Sequence, residues 1–149
     1  MAKIVDTTEY LDMVSDLLRE GREHVPVTVA GNSMVPFFHH GDRVWLDPIR
    51  HPLKKGDVVL YTRPTGQYVL HRIVRVHSDG SLTMLGDAQT VRERIGGSDA
   101  VRGIVVTVSH RGKLLTKDSL RWRFFEKVWP LVVPLRPMIM KSWKIITGK

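Results

Sequence analysis

Hydrophobic positions recur at a helical interval near the start of the chain. Tyr10, Leu11, Val14, Leu17 and Leu18 mark one apolar face, and Glu9, Asp12, Asp16 and Glu20 occupy the other. Asp6, with Glu9 three residues later, has the spacing of a capping box, and Gly21 supplies a stop. After that the period falls to two. Alternation predicts strands over Val27–Ala30, Arg43–Leu46, Asp57–Thr62, Tyr68–Val76, Ser81–Leu85 and Val101–Val108. Pro26 stands just before the first of them, where a missing N–H is tolerated. Gly41-Asp42, Gly56-Asp57, Asp79-Gly80 and Gly86-Asp87 punctuate the series, and His77–Ser81 reads as a hairpin turn.

Short strands at this spacing predict a mainly β, α+β fold: a small antiparallel β-barrel or a strongly bent sheet. The expected organisation is an N-terminal helix over 1–23, a β core over 24–110 and an amphipathic helical tail over 111–149. Pro130, Pro134 and Pro137 prevent that tail from forming one long helix.

Composition sharpens this picture at two points. The 149 residues include no cysteine, which excludes disulfides, thiolate metal sites and a cysteine nucleophile. The net charge of +8 resides in residues 110–149, which hold ten Lys or Arg against Asp118 and Glu126. The preceding 109 residues carry 13 basic and 13 acidic side chains, so the body lacks the broad positive surface of a nucleic-acid binder. Arg121, Trp122, Arg123, Phe124, Phe125, Trp129, Arg136, Lys141, Trp143 and Lys144 interleave aromatic bodies with cations. That pattern predicts binding to an anionic membrane surface, with packing on the β core as the alternative. No apolar leader opens the chain, and no run approaches the roughly 18 apolar residues of a membrane span. The expected location is therefore cytoplasmic, peripheral at the inner face of the membrane.

Three segments carry candidate chemistry. Gly31-Asn32-Ser33-Met34-Val35-Pro36 predicts a sharp turn at a strand end, exposing a hydroxyl beside free backbone N–H groups. Gly31, Asn32 and Met34 thereby become candidates for the ground around an oxyanion. His71 lies inside an apolar strand, where a titratable side chain needs a reason to be buried. A neutral imidazole can take the proton of a serine hydroxyl, and a carboxylate can hold the imidazole in the right tautomer. Asp87, just beyond the next strand, is the first candidate for that carboxylate and Glu93 the rival. His39 and His40 are adjacent and project differently, as in a surface loop, His24, His51, His77 and His110 are scattered, and the sequence predicts neither a metal cluster nor a cofactor.

The ordered set Ser33-Met34-Val35-Pro36, Gly41-Asp42, Lys55-Gly56-Asp57-Val58-Val59, His71-Arg72-Ile73-Val74 and Gly86-Asp87 resembles the signal peptidase I and LexA-like (S24/S26) serine peptidase superfamily. It is most similar to the histidine-base branch, that of the endoplasmic-reticulum and SipW-type signal peptidases. The resemblance covers about Val27 to Val108 and takes in Gly103. It implies Ser33 as nucleophile, His71 as base, and an extended peptide substrate with small side chains beside the cleaved bond. Lys54 and Lys55 fall at a turn, away from the strand position where lysine-base relatives carry their base. The resemblance thus implies a serine endopeptidase that removes a leader, signal or pro-segment, and activity that falls below about pH 6–7. A catalytically inactive peptidase-fold module that binds a peptide or protein partner remains the alternative. Oligomeric state is not legible from these residues.

Overall fold

The computed structural model describes the backbone of residues 7–147 and the side chains of residues 8–141. Helix α1, Thr7–Arg19, ends where the sequence predicts. Gly21 adopts a φ of 91°, and the Gly21 and Arg22 N–H groups donate to the carbonyls of Leu18 and Leu17, closing the helix. Its expected cap, Asp6, lies outside the described residues.

Eight antiparallel strands follow: β1 (Val25–Thr28), β2 (Arg43–Asp47), β3 (Val58–Thr62), β4 (Tyr68–Val76), β5 (Leu82–Leu85), β6 (Glu93–Ile95), β7 (Val101–His110) and β8 (Lys113–Leu115). Their order is β1-β2-β7-β3-β4-β5-β6, with β8 on β7. The sheet is bent and not a closed barrel, so the second of the two expected forms is the one observed. Register shifts at Trp45/Leu46, Leu60/Tyr61 and Ile73/Arg75 supply local kinks that let so long a sheet fold over. The first strand begins earlier than predicted and includes Pro26, which is tolerated because β1 pairs only with β2. The sheet also runs past residue 110, through β8.

Bending divides the apolar interior in two. One core gathers Val44, Leu46, Val58, Leu60, Val105 and Val108 beneath Val14 and Leu18 of α1. The other gathers Val59, Tyr61, Ile73, Leu82, Met84 and Ile95. Because successive strand residues face opposite ways, β3 sends Val58 and Leu60 to the first core and Val59 and Tyr61 to the second. This double burial explains why β3 reads as a continuous apolar run.

The tail corrects an expectation. Helix α2 (Leu120–Lys127), a 3-10 segment (Trp129–Leu135) and α3 (Arg136–Thr147) follow β8. Ser119 caps α2, its hydroxyl accepting the Trp122 N–H at 3.1 Å. Trp122, Phe125 and Trp129, expected at a membrane surface, belong to the first core. Phe37 meets the Trp122 ring edge-on at 5.2 Å and the Phe125 ring at 5.3 Å. Arg136, also assigned to the surface, is buried. Arg121 is exposed, with its guanidinium donating to the Pro36 carbonyl and lying over the Phe125 ring. Arg123, Phe124 and Lys141 remain exposed, and the side chains of Trp143 and Lys144 fall outside the described residues. The aromatic residues went inward because packing against the first core and Phe37 removes more apolar surface from water than an exposed helix face would.

Candidate active site

The turn between β1 and β2 carries Ser33. Gly31 begins it with a φ of 87°, and its N–H donates to His40 Nδ1 at 2.9 Å. Asn32 Oδ1 accepts the His40 N–H at 3.3 Å, so His40 braces the turn from one side. Met34 is buried beneath it, and its sulfur accepts the Asp87 N–H at 3.4 Å. The Ser33 carbonyl accepts the Ala88 N–H at 2.9 Å, which ties the turn to the Gly86-Asp87 loop. A Cβ on Gly86 would stand 2.5 Å from that carbonyl, so the close approach depends on glycine. Among the described residues, no protein acceptor takes the N–H of Ser33 or Met34.

His71, on β4, places Nε2 3.1 Å from Ser33 Oγ. The imidazole and the hydroxyl belong to residues 38 apart in the chain, brought together by the fold of the sheet. Behind the ring, His71 Nδ1 lies 3.2 Å from the Tyr61 hydroxyl. That hydroxyl donates to Glu93 Oε1 at 2.8 Å. Arg63 donates from Nε to Glu93 Oε2 at 2.8 Å and from Nη2 to Oε1 at 3.0 Å. The continuous series is Ser33, His71, Tyr61, Glu93 and Arg63.

Electrostatics along this series follow from burial and from Arg63. Burial and the Arg63 charge lower the His71 pKa to about 4, against a partial pull upward from Glu93. Burial and the bond to Glu93 push the Tyr61 hydroxyl well above its ordinary range, so it stays protonated. The Arg63 guanidinium holds the Glu93 carboxyl below the usual carboxylate range.

Asp87 does not stand behind His71, which corrects the first choice of carboxylate. Its Oδ1 and Oδ2 accept from Arg72 Nε and Nη2 at 2.9 and 2.7 Å, both side chains being fully buried. Arg72 follows His71 on the strand and so points to the other face, carrying its carboxylate partner with it. Glu93, the rival, reaches His71 only through Tyr61. Sequence reasoning missed Tyr61 and Arg63. A signal existed in the strand register: His71 faces Val59 and Val69 faces Tyr61, which makes Tyr61 a diagonal neighbour of His71 on one face.

The tail reaches the site from below. Trp129 Nε1 donates to the Asp87 carbonyl at 2.7 Å. Arg136 donates to the carbonyls of Gly86, Gln89 and Trp129 at 3.1, 3.0 and 3.2 Å. Buried without a carboxylate, Arg136 is pulled below its ordinary pKa by desolvation. A second cluster corrects the picture of unrelated histidines. Asp42 accepts from the His39 N–H at 2.8 Å and lies 2.8 Å from His110 Nδ1 through either oxygen, with the two rings stacked at 4.7 Å. It fastens the far end of the Ser33 turn to β7. These three side chains could offer ligand atoms within 4.8 Å of one another, but Asp42 already has protein donors for both oxygens.

A cleft of about 320 Å³ opens over Ser33 and His71. Its walls are Val27–Ala30 on one side and Tyr68–Leu70 on the other, with Tyr10 and Leu11 of α1 at the rim. Each flanking strand has one open edge there among the described residues, because β1 pairs with β2 on one side only and, beyond β3, β4 is joined by β5 only from Arg72 onward.

An antiparallel sheet with a hydroxyl and a buried imidazole facing a strand-lined cleft is the architecture of a peptidase-fold domain. The sequence model of the Peptidase S24-like family matches residues 2–112, and the chain belongs to that family. The match ends at residue 112, just before β8, so α2 and the segments after it lie outside the matched residues.

Proposed function

We propose that this protein is a serine endopeptidase of the histidine-base, signal-peptidase-like kind, with Ser33 as nucleophile and His71 as general base. One observation carries the reading: the 3.1 Å approach of His71 Nε2 to Ser33 Oγ at the floor of a cleft. Neutral imidazole takes the hydroxyl proton as Oγ attacks a peptide carbonyl. The resulting oxyanion lies next to the uncommitted Ser33 N–H. Collapse releases the amine, which takes the proton from His71, and water then hydrolyses the acyl-enzyme. An extended segment between the unpaired edges of β1 and β4 would continue the sheet, with backbone bonds giving affinity and shallow pockets selecting small side chains.

The proposed setting is an anionic membrane surface, and the substrate a leader, signal or pro-segment presented there. Phe124, Val128, Leu131, Leu135 and Met138 are exposed on the tail, and Arg123, Lys127 and Lys141 are exposed among them. No helix among the described residues is long and apolar enough to cross a membrane, so this contact would be peripheral.

The test is reaction with a serine-directed acylating probe and with a pool of extended peptides, comparing wild type with Ser33→Ala and His71→Ala. Labelling and cleavage lost in both folded variants support the Ser–His assignment. An inert wild type, with anionic vesicles present, would favour a peptide-binding module.

A further inference from the structure

Tyr61 occupies the position behind His71 that a carboxylate is expected to fill. The ring nitrogen on that side, Nδ1, has the Tyr61 oxygen 3.2 Å away. The Tyr61 proton is already committed to Glu93 at 2.8 Å, and Arg63 pins Glu93 with two bonds. A hydroxyl whose hydrogen is held by a carboxylate can only accept from a third group. Nδ1 must therefore carry its hydrogen toward Tyr61, which leaves the Nε2 lone pair directed at Ser33. The opposite tautomer would set Nε2–H against Ser33 Oγ and leave Nδ1, a buried acceptor, facing an oxygen with no hydrogen to give.

We propose that Tyr61, held by Glu93, is the positioning residue that fixes His71 in its basic tautomer, so that the site works as a Ser–His–Tyr–Glu series. This rests on the reading of Ser33 and His71 as nucleophile and base. During attack the Ser33 proton moves to Nε2 and the Nδ1 hydrogen stays on the ring, donating to Tyr61. The imidazolium that forms feels the Glu93 charge through the polarised hydroxyl. Its support is weaker than a carboxylate in direct contact would give, in keeping with the buried, poorly basic histidine described above. Tyr61 itself is fully buried, and its ring is angled to His71 with centroids 6.1 Å apart. No other side chain among the described residues meets His71 Nδ1.

Two measurements test this independently of each other. The nitrogen chemical shifts of His71 in isotope-labelled protein report which nitrogen bears hydrogen, whether or not the protein is active. Wild type is expected to show Nδ1–H, and Tyr61→Phe a shift toward Nε2–H or a mixture. The rate of labelling by the acylating probe is expected to fall about 10- to 100-fold in Tyr61→Phe, no more than the smallest contribution usual for a general base, because His71 itself remains. Glu93→Gln keeps an acceptor for the Tyr61 hydroxyl but removes the charge. It should leave the tautomer as Nδ1–H and lower the rate by a smaller factor. A Tyr61→Phe protein with an unchanged tautomer overturns the proposal, as does one that labels at the wild-type rate. Should Tyr61→Phe not fold, a wild-type Nε2–H tautomer is sufficient to overturn it. A wild type that does not label counts against Ser33 and His71, and the tautomer then decides on Tyr61 alone.

Discussion

Arg72 and Asp87 form a fully buried pair in which both carboxylate oxygens are taken by one guanidinium, at 2.9 and 2.7 Å. The remaining bond of Arg72 goes to the Gly56 carbonyl at 2.9 Å, and its guanidinium lies over the Phe37 ring. Asp87 is therefore the counter-ion of a buried cation and the anchor of the loop under Ser33. Asp87→Ala should destabilise the protein by about 3–5 kcal/mol, because it leaves Arg72 uncompensated in the interior. A double change, Arg72→Met with Asp87→Leu, should recover much of that loss. Denaturant melts of the three variants check this, and a near-neutral Asp87→Ala would contradict it.

The acidity of His71 changes the pH dependence implied by family resemblance. With its pKa lowered to about 4, the ring stays neutral well below pH 6. Activity of the free enzyme should persist as pH falls from 7 to 5 and drop only near pH 4, in place of a limb at 6–7. Stability follows the same sign. The unfolded chain binds the proton more readily, so the contribution is complete above about pH 6.5 and is lost as pH falls toward 4. A pH-rate profile of probe labelling is the measurement, and an acid limb at an ordinary histidine value would refute the shift.

Gly86 sits where a methyl group would collide with the Ser33 carbonyl at 2.5 Å and with the Gln89 side chain at 2.8 Å. Gly86→Ala should cost roughly 1–3 kcal/mol of stability, in the range of local overpacking. It should slow probe labelling disproportionately, since the displaced group is the backbone of Ser33. Gly66→Ala makes the comparison, because its cost comes from a φ of 89° with nothing nearby to strike. It should lower stability while leaving the labelling rate of the folded protein unchanged.

Arg136 ties the tail to the loop beneath the site through the Gly86 and Gln89 carbonyls, and braces the tail itself through the Trp129 carbonyl. Arg136→Met removes these donors and leaves buried acceptors unpaired, a loss of about 1–3 kcal/mol. Labelling should fall with it, while vesicle binding is retained. Leu131→Asp with Leu135→Asp, on the exposed side of the same segment, should do the reverse. Co-sedimentation with anionic vesicles should fall, and labelling in solution should not. Sedimentation at low and high salt separates the charge contribution from the apolar one.

Much of the fold was legible because local rules dominate it. Period-two alternation located β1, β2, β4, β5 and β7, a short apolar run between turn signals located β3, and the helical interval with Gly21 located α1. Strands β6 and β8 escaped notice because three residues cannot display a period. Ser33 and His71 could be singled out in the sequence, since a tight turn and a titratable group in an apolar strand are local facts. What stands behind His71 was not, because that depends on which face of β4 each side chain takes and on the pairing of β3 with β4. Strand alternation turned Arg72 and Asp87 away and brought Tyr61 in.

The tail divides in the same way. Its cations and aromatics could be counted in the sequence, and its prolines announced the breaks between short helices. Which aromatics turned inward was decided by packing against the first core, which takes in Trp122, Phe125 and Trp129 and leaves Phe124 and Leu131 outside. The sequence by itself determined most of the strands, the turn that carries Ser33 and the basic character of the tail, because each is set by neighbours along the chain. Tertiary structure decided the partner of His71, the role of Asp87 and the burial of Arg136, because each depends on contacts between elements distant in sequence and on the cost of leaving a buried polar group unpaired.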